Sequence, residues 1–139
     1  LMPTYGAAGT VSATLTTGAG GVSICEVHWI ADAAGDAIAT LAPHLDGRLE
    51  RLIERRTAAG TAGTHDVYLY DRYLIDVLRG LGAALPDNAD PPTVKVIYAT
   101  LAADVSVPVE TIGLHIFRVS GADASDRGLS TFILTVPHG

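Results

Sequence analysis

The chain is poor in the residues that most often announce a function. It has one cysteine, Cys25, in 139 residues. That excludes an internal disulfide framework and any zinc or iron–sulfur site built from several thiolates. Charged residues make up 17% of the sequence, against about 25% in an average soluble domain. Lysine occurs once, at Lys95, so arginine supplies eight of the nine basic side chains. Fifteen acidic residues outnumber them and set the net charge at −6. A nucleic-acid surface needs the opposite balance, because phosphate contacts require clustered Lys and Arg. No apolar run reaches the roughly 18 residues that span a bilayer. No charged-then-apolar leader is read at the start of the sequence. Direct nucleic-acid and membrane partners are therefore not expected.

What is present is largely apolar. Hydrophobic residues make up 48% of the chain, and the mean hydropathy is +0.32. Such a chain is too apolar to stay disordered. Its length suits one domain that buries roughly two-thirds of the surface its unfolded form exposes. The small charged share implies that neighbouring molecules cover part of the surface.

Period-two alternation dominates the pattern. Thr10–Thr16 reads as a strand with Val11, Ala13 and Leu15 toward a core, followed by a turn at Gly18–Gly21. Val22–Ile30 reads as the next strand, with Cys25, Val27 and Trp29 inward because Glu26 and His28 share the other side. Asp32–Asp36 supplies a turn, and Ala37–Leu41 is expected to return as a hairpin partner. Residues 48–56 fit a helical stripe by local propensity, but the turn signals around them favour a long strand, which is the reading adopted. His65–Asp71 alternates well. Leu74, Leu78, Leu81 and Leu85 then recur at helical spacing behind a capping Asp71, which predicts a short helix near residues 73–84. Thr93–Leu101, Val105–Val109, Ile112–Val119 and Leu129–Val136 complete the strands, the last two as arms of a hairpin. The sum is an all-β chain. It is expected to be an antiparallel β-sandwich of about seven to eight strands in a single domain, 10–139, behind an extended N-terminal arm, 1–9.

Chemistry-bearing motifs are scarce. The five histidines, His28, His44, His65, His115 and His138, never fall two or four residues apart, the spacings that put two metal ligands on one strand or helix face. Cys25 reads as a buried thiol with no basic cluster beside it to lower its pKa. Asp32/Asp36, Asp87/Asp90 and Asp123/Asp126 sit in turns, where Asp bonds to backbone. Neither a nucleophile elbow nor a phosphate-cradling loop before a helix is present. No catalytic residue, metal or cofactor is therefore assigned. Two features bear on partners instead. Arg48, Arg51, Arg55 and Arg56 fall within nine residues, interleaved with Glu50 and Glu54. They read either as a solvated, salt-bridged face or as a contact to an acidic partner. Tyr68 and Tyr70 share a strand face. They form either a platform for a sugar or a protein, or the cover of an open sheet. With Tyr5 on the arm, the candidate interface residues are Tyr5, Arg48, Arg51, Arg55, Tyr68 and Tyr70.

Three stretches taken in order resemble small virion proteins of tailed bacteriophages: Trp29–Gly35, Asp46–Leu52, and Asp66–Asp71 followed by Ile75–Gly82. The resemblance covers roughly residues 22–85, with a looser match of the final strands. It departs from the pattern in lacking a proline near Thr57 and in a longer Leu74–Leu85 segment. The resemblance implies a non-enzymatic structural subunit of a phage particle, first as a capsid decoration or cement protein. The major capsid protein or other virion proteins would be its partners, along with copies of itself, and the virion its location. A neck, tail or fibre-associated role is nearly as compatible, and a carbohydrate or cell-surface recognition module is the competing class. The arm would suit addition to a neighbour's sheet edge, and repeated copies would gain avidity.

Overall fold

Threonine, valine and isoleucine suit a pleated surface with one side buried, and they help build the twelve strands found among the described residues. The structure is a computed structural model, and it describes residues 8–57, 63–86, 92–102 and 105–136. The expected arm, with Tyr5, lies outside the described residues apart from Ala8 and Gly9. The strands are β1 (Thr10–Thr17), β2 (Val22–Ile30), β3 (Ala37–Thr40), β4 (Gly47–Arg56), β5 (Thr64–Tyr70), β6 (Leu85–Pro86), β7 (Thr93–Val96), β8 (Ala99–Ala102), β9 (Val105–Val107), β10 (Val109–Thr111), β11 (Ile116–Ser120) and β12 (Arg127–Thr135). One short 3-10 turn, Ala19–Gly21, joins β1 to β2. The six-stranded sheet runs β1-β2-β12-β4, with β7 and β10 end to end along the far edge of β4. The four-stranded sheet runs β3-β11-β5-β6, and β8 and β9 pair separately. Every pairing is antiparallel.

The two sheets close on one core. Cys25, Val27 and Trp29 point inward from β2 as alternation predicts, and meet Leu49 and Leu52 of β4 and Phe132 and Leu134 of β12. Val67 and Leu69 of β5 with Phe117 and Val119 of β11 face them. Phe117 and Phe132 meet edge-on across the sandwich, with centroids 6.2 Å apart, a favoured aromatic geometry. In β1, Val11 and Ala13 pack on this core, while Leu15 stays exposed.

Residues 48–56 are a strand. Their helical-looking spacing has a different cause, a register shift opposite Ile133/Leu134: Ile133 faces Arg51 and Leu134 faces Leu49. Glu50 is the extra residue, so the strand inverts its alternation there. Leu49 and Leu52 both turn inward, and Arg48 and Arg51 both turn outward.

Several expectations are corrected. No helix forms over 73–84. The carboxylate of Asp71 accepts the amides of Tyr73 and Ile75, and that of Asp76 accepts Leu69, Leu78 and Gly80. These side chains offer the backbone turn bonds in place of a helical ladder. Leu74, Arg79 and Ala84 also adopt positive φ. The segment runs as consecutive turns along the free edge of β5, with Val77 bonding Leu69 and Val67 bonding Gly82. Val77, Leu78 and Leu85 reach the core from it.

β3 is no hairpin partner of β2, and β11 and β12 are not arms of one hairpin. β3 and β11 pair with each other in the four-stranded sheet, while β2 and β12 pair in the six-stranded one. Their connections, 31–36 and 121–126, cross from sheet to sheet side by side at one end. Gly35 and Ala122, Asp32 and Ser125, and Ala31 and Asp126 bond across them. Gly35 is required at that crossing: its φ is +82°, and a Cβ there would lie 1.9 Å from the Ala122 carbonyl oxygen. β11 begins at Ile116 rather than Ile112. The stretches 93–101 and 105–111 each break in two, raising the strand number above the expected seven to eight.

Candidate functional site

Cross-strand register decides which predicted residues share a surface. Arg48 lies opposite Thr135, Arg51 opposite Ile133 and Arg55 opposite Leu129, all on the outer face of the six-stranded sheet. Arg56 turns inward, so the arginine cluster of the sequence is divided between two environments. Arg48 makes an exposed ion pair with Glu110 of β10 at 3.7 Å. Arg51 and Arg55 form no ion pair with another described residue.

The same face is apolar around them. Ile24 and Arg51 flank Ile133, Glu26 and Ile53 flank Thr131, and His28 and Arg55 flank Leu129. Val94 and Val96 of β7 extend these rows beside Ile53 and Arg51, and they are 52% and 62% exposed. Thr14 and Thr16 of β1 extend them beyond Glu26 and Ile24. The face is thus mixed, with exposed aliphatic side chains set among threonines and charges, and exposed apolar patches rimmed by polar residues mark interaction surfaces.

Tyr68 and Tyr70 lie on the other side of the sandwich, on the outer face of β5. Their rings are parallel within 4°, with centroids 5.7 Å apart. The Arg118 guanidinium sits 5.3 Å from the Tyr68 ring centre and donates to the Tyr70 hydroxyl at 3.4 Å. This group satisfies itself, and that leaves less of a stacking platform for a ligand. The predicted arginines and tyrosines therefore belong to opposite faces and do not form one site.

A buried polar network that joins the sheets has almost no local signature in the chain. Glu54 faces inward and is 1% exposed. One of its oxygens accepts from His65 Nε2 at 2.7 Å and the other from the Ser130 hydroxyl. Ser130 in turn accepts from Trp29 Nε1 at 3.1 Å, and the Trp29 and His65 rings are 5.3 Å apart. Ser, His and Glu are the residue types of a nucleophilic triad, but the order differs. The carboxylate lies between the other two, the serine donates to it rather than to the imidazole, and all three are sealed from solvent. The arrangement links β4, β5 and β12. Beside it, Arg56 Nε donates to Asp126 at 2.9 Å, and its guanidinium lies 3.5 Å from Asp123. The turn acids Asp123 and Asp126 thus hold the crossing chain to β4. The one available signal was the pair of charges in the inward register of β4, legible only once the bulge at Glu50 is known.

At the opposite end, buried His115 donates from Nδ1 to the Gly113 carbonyl at 3.0 Å. A carbonyl only accepts, so in the neutral ring Nε2 is the acceptor for the Thr111 hydroxyl. Burial holds the His115 pKa below its usual value, with the Gly113 bond and the Asp71 and Asp46 charges opposing and the His44 charge adding. Thr111 also lines a cleft of about 390 Å³ with Asp46, Gly47, Glu110 and Ile112. Both its acids are engaged, Asp46 by the Gly113 amide and Glu110 by Arg48. Cys25 is buried and its thiol is pushed up to about 11, first by burial and then by Glu26. A protonated thiol is a poor nucleophile. Among the described residues, no three His, Cys, Asp or Glu side chains are grouped as metal ligands, and no helix is long and apolar enough to cross a membrane.

Compared with known proteins, the chain matches no protein-family model, no curated protein and no solved structure.

Proposed function

We propose that this chain is a non-enzymatic structural subunit of a phage particle, decorating or cementing the shell through protein–protein contacts. The observation that carries this reading is the open face of the six-stranded sheet. Val94, Val96 and Ile24 stand exposed there and Ile53 and Ile133 half-buried, beside Arg51 and Arg55, on a protein whose net charge is −6. An assembly subunit can cover such exposed aliphatic side chains against a neighbour. The resemblance of residues 22–85 to small virion proteins supplies the particle. A neck, tail or fibre-associated position uses the same contacts.

The test is made on particles. Purified capsids should carry this chain at high copy, and particles lacking it should disassemble at a lower temperature. Capsids with an unchanged disassembly temperature, or with none of the chain on them, would overturn the decoration reading. A carbohydrate-recognition role is the second reading; it rests on Tyr68 and Tyr70 sharing the outer face of β5 and needs a sugar to stack where Arg118 now lies. It requires that Tyr68→Ala with Tyr70→Ala abolish glycan binding while the fold survives.

A further inference from the structure

We propose that the open face of the six-stranded sheet binds the same face of a second copy of this chain, about a twofold axis running along β12. The inference deepens the reading of this face as an assembly surface and does not depend on the particle. Its basis is the placement of charge. Glu26 lies on β2, one strand to one side of β12, and Arg51 and Arg55 lie on β4, one strand to the other side. None of the three has an ion-pair partner among the described residues.

A half-turn about β12 exchanges the two sides. It lays β2 of the second copy over β4 of the first, and β1 over β7. Glu26 and Ile53 both stand level with Thr131, so the second copy's Glu26 falls over Ile53. Arg51 and Arg55 are the outward residues on either side of Ile53, each about 6.6 Å along the strand. One carboxylate thus enters between two guanidiniums, and symmetry repeats the contact on the other side. In the outer rows, Thr14 meets Val94 and Thr16 meets Val96 by the same registers. Thr131, Ile133 and Thr135 of β12 meet their own copies on the axis. A twofold contact of this kind must be self-complementary. Glu50 also faces outward on β4, but its carboxylate is engaged by the Thr135 hydroxyl, which leaves Glu26, Arg51 and Arg55 as the charges that the axis must match.

Size agrees. Four strands of about 30 Å and the shorter β7 of about 13 Å, spaced about 4.8 Å apart, present roughly 600–700 Å² on each copy. A standard interface takes about 800 Å² from each partner. Sheets packed face to face keep their strands within about 30° of each other, which preserves the stated pairings near the axis.

Sedimentation of the purified chain tests this, from micromolar to near-millimolar concentration. The wild type should run at twice the chain mass and dissociate on dilution. Arg51→Glu with Arg55→Glu should weaken association at least about a hundredfold, because like charges then face each other. Adding Glu26→Arg to that pair exchanges the signs and should restore the dimer. Melting of each variant checks that it folds. A charge-independent reading comes from Thr131→Cys, which a short bis-maleimide should cross-link between copies while Tyr73→Cys, in the turn after β5, does not. A wild type that stays monomeric, a dimer indifferent to the arginine reversal (as pairing through the β1 edge would give), or a triple variant that stays monomeric overturns the proposal. A monomer that still loads onto capsids would sink only the pairing, and a dimer absent from capsids would sink only the particle role.

Discussion

Glu54 and Arg55 are neighbours on β4 and answer to opposite electrostatic rules. Glu54 is desolvated, and each of its oxygens accepts a hydrogen bond. Arg56, also inward, holds two acids of the crossing chain. Arg51 and Arg55, outward on the same strand, are exposed and have no ion-pair partner among the described residues. A buried charge persists only with partners, because removal from water costs several kcal/mol per ion. An exposed charge needs none and adds little to stability. The charges on the two sides of β4 therefore serve different ends. The inner ones fix how the sheets and their crossing segments meet, and the outer ones are available to another molecule.

The comparison breaks most visibly at Glu54. Glu54→Ala leaves His65 and Ser130 without their shared acceptor in the interior. We expect a loss of about 3–5 kcal/mol in urea unfolding, as for one partner removed from a buried pair. A loss within about 0.5 kcal/mol would mean that the network does not hold the sheets. Next in size is Gly128, opposite Trp29 in the register. A Cβ there would lie 2.2 Å from Trp29 Cζ2, so Gly128→Ala must displace the indole that bonds Ser130. Overpacking of this kind costs about 1–3 kcal/mol, and tryptophan fluorescence should shift with it. Unchanged emission and stability would contradict the packing described.

His115 sharpens the contrast, because it is buried without being an ion-pair member. Its folded pKa lies below the usual 6.5, so as pH falls the unfolded chain binds the proton first. Its contribution to stability is complete above about 6.5 and is lost from there down through the folded value. The slope is at most about 1.4 kcal/mol per pH unit for one proton. His115→Asn should remove that slope in denaturation curves recorded across pH, whatever it does to stability at neutral pH. A variant that keeps the full wild-type slope would refute the assignment to His115.

Legibility in the sequence follows the same division. Alternation in Val22–Ile30 and His65–Asp71 identified real strands and the inward side of β2, because burial of one face writes itself into every second residue. The candidate arginines were legible as a cluster, but not as two sides, because the bulge at Glu50 resets the alternation and is fixed by pairing with β12. The Leu74–Leu85 spacing imitated a helix. Asp71, read as a helix cap, and Asp76 instead capture the local amides. Which strands share a sheet was not legible either. The crossings at 31–36 and 121–126 carry the same Asp and Gly that a hairpin turn uses, and only their contact with each other distinguishes them. The Glu54–His65–Ser130 group joins residues 11 and 76 positions apart, a distance no local pattern reports.

The smallest expected effect on stability is the sharpest test of the outer side. Arg55→Ala removes a charge with no ion-pair partner from an exposed position, and surface changes of this kind stay within about 0.5 kcal/mol. Stability measured under dissociating conditions should therefore be unchanged, while association at higher concentration weakens. Glu54→Ala, one residue away, should do the reverse and lower stability at every concentration. If Arg55→Ala instead destabilised the isolated chain by 1 kcal/mol or more, the outer arginines would have a structural duty within the fold. The division of β4 into an inner side for folding and an outer side for association would then fail at its central strand.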